Sequence, residues 1–525
     1  MKKLILIKMA AISAAISVML GVASCDMGTS EETIPGETAA QTTAVSADPS
    51  QDTKPAESSA SSSADDGSGN AAGINYLAAK TITKATTEKK MTYQTKSADE
   101  SALIVNGIDK EKMTVAINNA TVKKTGNTES GDFCNRYGVN AAFLALGGAR
   151  VTIKGGTFSS EAKGSTAVYS YGGYGKQNGM SGDGTTVTIS DATVTTGGEN
   201  SGGITTSVGG NTTISNVTVR TKGNNSPAIN SSKGGGVIKI TKGSYTTEGA
   251  DSPAIYSTAT MTIKSASFTA NRSEAVVGEG ETSMNISDSD IISNHVQRRE
   301  KAQFFSGVLL YTPDPDTGYD STSEFTMARG KLTNKRGHVF HVTNTKGVIS
   351  LSGVSITNED KDNVLLSVSP DGWGGGNNVA ILNLAKCSIS SDILVAKKAK
   401  LILNLSGGAS FTGKISGKIT DADGQTVSTE PGVVHVNIDS TSTWTLTEDT
   451  YVTSFTGNMK NVNLNGYQLH INEEAPEATP TPKPTKKPTK KATKKKKKPT
   501  KKPTKKPTKK PKKKKTTTTT TTANP

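Results

Sequence analysis

Thirteen segments of this chain repeat one alternating pattern, from VAINNATV at Val115 through VTISDATV at Val187 and MTIKSASF at Met261 to VNLNGYQL at Val462. Each has a central apolar residue: Ile117, Ile153, Ile189, Ile214, Ile240, Ile263, Ile286, Met327, Leu351, Leu384, Leu405, Ile438 and Leu464. A second apolar or aromatic residue follows five positions later, or six at Phe411 and Trp444. Alternation at period two predicts strands. From Ile189 to Ile286 the successive intervals are 25, 26, 23 and 23 residues, with Gly, Asn and Ser at the turns and no helical periodicity between. A unit this short cannot bury its own apolar face and must stack on its neighbours. The pattern therefore predicts a parallel β-helix of about thirteen rungs. NNSPAINSS at Asn224 and ADSPAIYST at Ala250 then repeat because Ile229 and Ile255 share a core column on adjacent rungs.

Composition divides the chain of 525 residues. Residues 1–25 have Lys2, Lys3 and Lys8 before an apolar run ending in VASC, the pattern of a secretory signal. Residues 26–73 are Ser, Thr, Ala, Gly, Pro and acids, too polar to form a core, and read as a disordered linker. Residues 74–472 carry the repeats. Residues 473–525 are a Lys, Pro and Thr tail, read as disordered and extended. The net charge of +15 conceals a division: Lys483 to Lys515 holds 20 lysines and no acid, which leaves −5 elsewhere. A stretch this basic contacts polyanions through counterion release or serves as a solvated spacer. It has no aromatic residue for base stacking, which argues against a dedicated nucleic-acid function.

VASC resembles the lipobox of bacterial lipoproteins. The resemblance implies cleavage before Cys25 and a diacylglycerol on its sulfur, an anchor to the outer face of the cell membrane. Two cysteines remain, Cys134 and Cys387. They fall near the first and tenth rungs, roughly 40 Å apart at one strand spacing per rung. A disulfide is impossible at that distance, so two free thiols are expected.

NSGGI at Asn200, SEFTMARGKL at Ser323, HVFHVTNTKGVISLSGVSITNED at His338 and DGWGGGNN at Asp371 resemble a family of cell-surface β-helix lipoproteins of anaerobic, gut-type Gram-positive bacteria. Its members carry adhesin-like or carbohydrate-binding-like names, and the architecture is that of the pectate-lyase-like superfamily. The resemblance covers most of 97–472. It implies an all-β, single-stranded, right-handed parallel β-helix, an extracellular location and a glycan partner. Three functions stay open: a non-catalytic adhesin, a polysaccharide lyase or hydrolase, and a wall spacer with no specific ligand.

Chemistry on such a scaffold needs acids and a base stacked on neighbouring rungs. The column two residues after each central residue runs Asn119, Gly155, Asp191, Asn216, Lys242, Ser265, Asp288, Arg329 and Gly353, where acids do not cluster. His338 and His341 are three apart, so on a regular strand they face opposite sides and do not share a metal. Three insertions follow the same strand of the repeat, at 171–184, 311–324 and 370–378. They bring Tyr171, Tyr174, Tyr311, Tyr319 and Trp373 to one corner, either as a sugar-binding surface or as caps on exposed core. Asp314, Asp316 and Asp320 alternate with a glycine on one of these loops. That set can wrap Ca²⁺, although it lacks the spacing of a helix–loop–helix calcium site, and a turn-forming acidic loop is the other reading. The end segments, Asn75–Lys96 and Gly457–Asn472, are expected to form irregular caps, because open strand edges invite association.

Overall fold

The computed structural model describes residues 74–472 except 109–112, 175–181, 232–233, 314–320 and 375. The signal, linker and tail, and with them Cys25, Tyr319, Asp314, Asp316 and Asp320, lie outside the described residues.

The described chain coils as a parallel β-helix with three faces. On the first face the central residues stack in register, Ile117 on Ile153, Ile189, Ile214, Ile240, Ile263 and Ile286. Met327, Leu351, Leu384, Leu405 and Ile438 continue the column. On the second face Val122, Phe158, Val194, Val219, Tyr245, Phe268 and Ile291 form the matching stack. The third face is a parallel sheet of thirteen strands, from Thr81–Ile82 to Ile415–Ser416, taken in chain order. Its inner column includes Ile204, Ile229, Ile255, Val276 and Val308. All are buried in one continuous core. Each such side chain removed from water contributes about 1.5–3 kcal/mol, and only stacking lets a coil of this size capture it.

Ile229 does sit on Ile255. The serine of the repeated SPAI has its own role. Ser165 N–H donates to Ser201 Oγ, Ser201 N–H to Ser226 Oγ, and Ser226 N–H to Ser252 Oγ, at 2.9–3.0 Å. This hydroxyl ladder satisfies buried amides at the corner where the chain leaves the second face.

The column read for catalytic carboxylates is the corner between the first and second faces. Asn119, Asp191, Asn216, Lys242, Ser265, Asp288 and Arg329 all have φ between 51° and 62°. Asn and Asp tolerate this left-handed conformation, and other side chains are strained in it. The acids there therefore serve the turn. Asn216 donates to Asp191 at 2.9 Å, and Arg329 pairs with Asp288 at 2.6 Å.

Both ends differ from expectation. Thr86–Lys89 and Thr92–Thr95 pair in parallel with Thr114–Asn118 and Thr121–Lys124, so the N-terminal segment is a further coil rather than an irregular cap. At the other end Leu464 does not join the central column. Val462 pairs with Trp444 on the second face, Ser454–Thr456 takes the first-face position, and Leu464 is 41% exposed. The last coil is short, 19 residues from Val436 to Phe455 on the first face, so Leu464, one usual repeat after Ile438, falls beyond the second-face strand.

Candidate functional site

All three insertions leave the C-terminal ends of third-face strands: Val168–Tyr171, Ser306–Tyr311 and Val364–Val368. They bring their rings together only in part: Tyr311 and Trp373 meet, and Tyr171 and Tyr174 stand apart from them. Tyr171 is buried in an outer cluster with Leu144, Leu146 and Tyr169, covered by Tyr76, Tyr137 and Tyr174. Tyr137 meets Tyr171 edge-on at 5.9 Å, and Tyr76 meets Tyr174 at 5.6 Å. Tyr311 is buried in a second cluster with Val277 and Leu309, and Trp373 lies 4.8 Å from its ring. Five strand spacings separate the strands that carry Tyr171 and Tyr311, about 24 Å. Tyr171 and Tyr311 therefore seal apolar outer surface of the third face, and Tyr174 and Trp373 are half-buried against them. Between the first two insertions lies a groove of about 590 Å³, lined by Gly209, Gly235, Gly236, Thr258, Glu281 and Glu324 among others, with none of these aromatic rings.

A larger cleft, about 710 Å³, opens at the other end of the third-face strands. Its floor includes Val364, Leu394 and Ser416. One wall is the segment between Ser293 and Ser306, which supplies Phe304 and Phe305. The opposite wall is an antiparallel hairpin, Ile419–Thr420 with Thr426–Ser428, inserted after the last third-face strand. Arg298 joins the walls through both oxygens of Asp423, at 2.7 and 2.9 Å, and Ala422 N–H donates to Gln303 O at 3.0 Å.

The Phe304 wall is anchored at two buried points. Arg299 makes a two-pronged pair with Glu274, at 2.8 and 3.0 Å, and Glu274 is 1% exposed. Burial opposes ionisation of Glu274, but Arg299 outweighs it and holds the carboxyl far below the usual range. The second anchor is Asp371, whose Oδ1 accepts the Gln303 and Gly372 amides at 2.6 Å each. Such anchoring gives the cleft a fixed shape before any ligand arrives, which lowers the entropic cost of binding.

Around the rim the charges nearly balance. Lys414 pairs with Glu448 at 2.9 Å and lies 3.9 Å from Asp392, and Lys361 pairs with Asp362 at 2.9 Å. Arg336 stacks over the Phe305 ring at 3.7 Å from its centre. Asp360 accepts the Gly337 and Asp362 amides.

His338 also lines the cleft, and the face-parity argument fails for it. His338 Nδ1 and His341 Nδ1 lie 2.6 and 2.7 Å from the same hydroxyl, Ser367 Oγ. His338 is the first residue of its strand, just after Gly337 at φ 76°, where the alternation has not begun. His341 Nε2 is 3.0 Å from Asp371 Oδ2. Serine, histidine and aspartate are thus in contact, but Ser367 is fully buried and cannot attack a substrate. Burial and the adjacent His341 push His338 down to about 3. A base that weak is far from the matched acidity that proton transfer near neutral pH requires.

Neither Phe305 nor His338 was singled out by the repeat pattern as part of a surface site. One signal was available. Ile286 to Met327 spans 41 residues, room for two insertions, of which only the second was recognised.

Compared with models of protein families, with curated proteins and with solved structures, the chain matches none. Among the described residues, no helix is long and apolar enough to cross a membrane, and no group of three or more His, Cys, Asp or Glu could hold a metal ion.

Proposed function

We propose that this chain is a lipid-anchored protein of the outer cell surface that binds glycan without catalysis. Its β-helix carries the ligand site, and its lysine tail contacts anionic wall or matrix polymer. The observation that carries the reading is the cleft between Phe305 and the 419–428 hairpin. It is wide, tethered and walled partly by an aromatic ring, and its charges are largely tied to one another. Its lining mixes charged and hydroxyl groups with the apolar side chains of Phe304, Val364 and Leu394, and such a mixture suits a sugar, whose edge is hydroxyl and whose ring faces are apolar. The nearby Ser367 is fully buried and burial lowers the basicity of His338, which does not favour a lyase or hydrolase. Export and anchoring rest on the charged start, apolar run and VASC.

The test mixes the mature protein, and a variant ending at Asn472, with insoluble plant, mucin and bacterial wall polysaccharides. Depletion from solution and release of reducing or unsaturated products are read in the same tubes. Depletion of both proteins without products is expected. Products would make the chain an enzyme. Retention that disappears with the tail would leave the β-helix as a spacer.

A further inference from the structure

The hydrogen-bond chain behind the cleft fixes the face that His338 shows to a ligand. Asp371 Oδ2 accepts, so His341 Nε2 carries a proton. In its neutral form His341 then has its lone pair on Nδ1. Ser367 must then donate its single hydroxyl proton to His341 Nδ1. The Ser367 oxygen is left to accept, and it does so from His338 Nδ1–H. The proton of His338 is therefore on Nδ1, and its lone pair is on Nε2. That nitrogen has no protein partner among the described residues, and it is not among the buried polar atoms lacking a partner. The ring lines the cleft.

We infer that His338 Nε2 is a hydrogen-bond acceptor presented to the cleft, and that the cleft takes a neutral polyhydroxylated ligand, one of whose hydroxyls donates to it. The ligand class rests on the glycan reading above; the tautomer does not. An acceptor selects a donor. Of the four cations lining the cleft, Lys414 and Lys361 pair with carboxylates, Arg336 lies over Phe305 and bonds the Val296 carbonyl, and Lys418 has no ion pair among the described residues, against the five carboxylates Asp360, Asp362, Asp392, Asp421 and Glu448. That excess of carboxylates disfavours an anionic ligand and leaves a neutral sugar unopposed. The relay also explains a buried serine held between two histidines. Its hydroxyl transmits the polarity imposed by Asp371 outward to the cleft.

Two measurements on the full-length protein decide the matter. Long-range proton–nitrogen correlation at pH 8, with His338 assigned by its loss in His338→Gln, should show a protonated Nδ1 and an unprotonated Nε2. Ser367→Ala should release the lock and give a mixture of tautomers. A protonated Nε2 in the unsubstituted protein overturns the inference. Binding is measured with laminarin, galactomannan and xyloglucan as neutral probes and polygalacturonate as the acidic one. At least one neutral probe should bind, His338→Ala should weaken it at least tenfold, and His338→Gln, which keeps an acceptor, should recover part of the loss. Binding of polygalacturonate alone, or of no probe, overturns the neutral ligand class while the nitrogen shifts still report the tautomer. Neutral-probe binding indifferent to His338→Ala overturns the acceptor role and leaves the glycan reading standing.

Discussion

His338 and His341, three residues apart on one strand, both place Nδ1 within 2.7 Å of Ser367 Oγ on the next strand. Two imidazoles thereby share one hydroxyl, with Phe304 packed against both rings at 5.3 and 4.8 Å. The contact couples the stability of this part of the coil to pH.

Burial and the adjacent His341 push His338 down to about 3 from an ordinary 6.5, and burial also lowers His295. A depressed histidine binds a proton in the unfolded chain before it does so in the folded one. Its contribution to stability is thus complete above about pH 6.5 and is lost progressively as pH falls toward 3. The carboxyl of Glu274, held low by Arg299 against its burial, adds a loss in the same direction at lower pH. Urea midpoints should be flat from pH 7 to 8 and decline below 6.5, and His338→Gln should flatten the upper part of that decline. A midpoint that rises on acidification would contradict the assignment.

Arg299→Ala would leave Glu274 buried and unpaired. Removal of one partner from a buried pair costs about 3–5 kcal/mol. The segment carrying Phe304 and Phe305 should then become accessible to trypsin at Arg298 before the rest of the β-helix opens. Glu274→Gln, which keeps the shape but removes the charge, should leave Arg299 unpaired and expose the same cleavage site. Equal protease resistance in all three proteins would mean that the pair does not hold the wall.

Adjacent residues at one corner should respond in opposite ways. Lys242 has φ 62°, so Lys242→Gly relieves strain and should leave stability unchanged or raise it by up to about 1 kcal/mol. Gly243 has φ 102°, and an added Cβ would lie 2.4 Å from Val217 O. Gly243→Ala should therefore destabilise by more than about 1 kcal/mol. Thermal melts of the two variants side by side make the comparison.

Cys134 and Cys387 are free and buried, and burial with the nearby Asp132 raises the Cys134 thiol to about 11. Neither should react with a disulfide reagent in the native body at pH 8, and both should react once the chain is denatured. Fast labelling of either in the native state would show that its rung opens.

The repeat was legible because stacking imposes it. Most coils present an Ile or Leu to the coil below, so Ile189, Ile214 and Ile240 recur at nearly the coil length. The left-handed corner also left its mark as Asn119, Asp191 and Asn216, residues whose common cause is their positive φ rather than any shared acidity. The site was much less legible. Aromatic rings on insertions look alike whether they cap or bind. Tyr171 and Tyr311 are buried because the outer surface of the third face is apolar around Leu144 and Leu309, a fact set by which residues lie beside them on other rungs.

By itself, then, the sequence determined the strand type, the coil length, the register of the core columns and the separation of the two thiols. All of these follow from a one-dimensional period, since each coil contacts mainly its neighbours. Tertiary structure alone decided that Arg298 would meet Asp423, 125 residues away, and that Gln303 would reach Asp371. It also decided that two histidines predicted to diverge would share Ser367. Insertions are exempt from the stacking period. Their positions are set by contacts with other insertions and with distant coils, for which the linear pattern carries no signal.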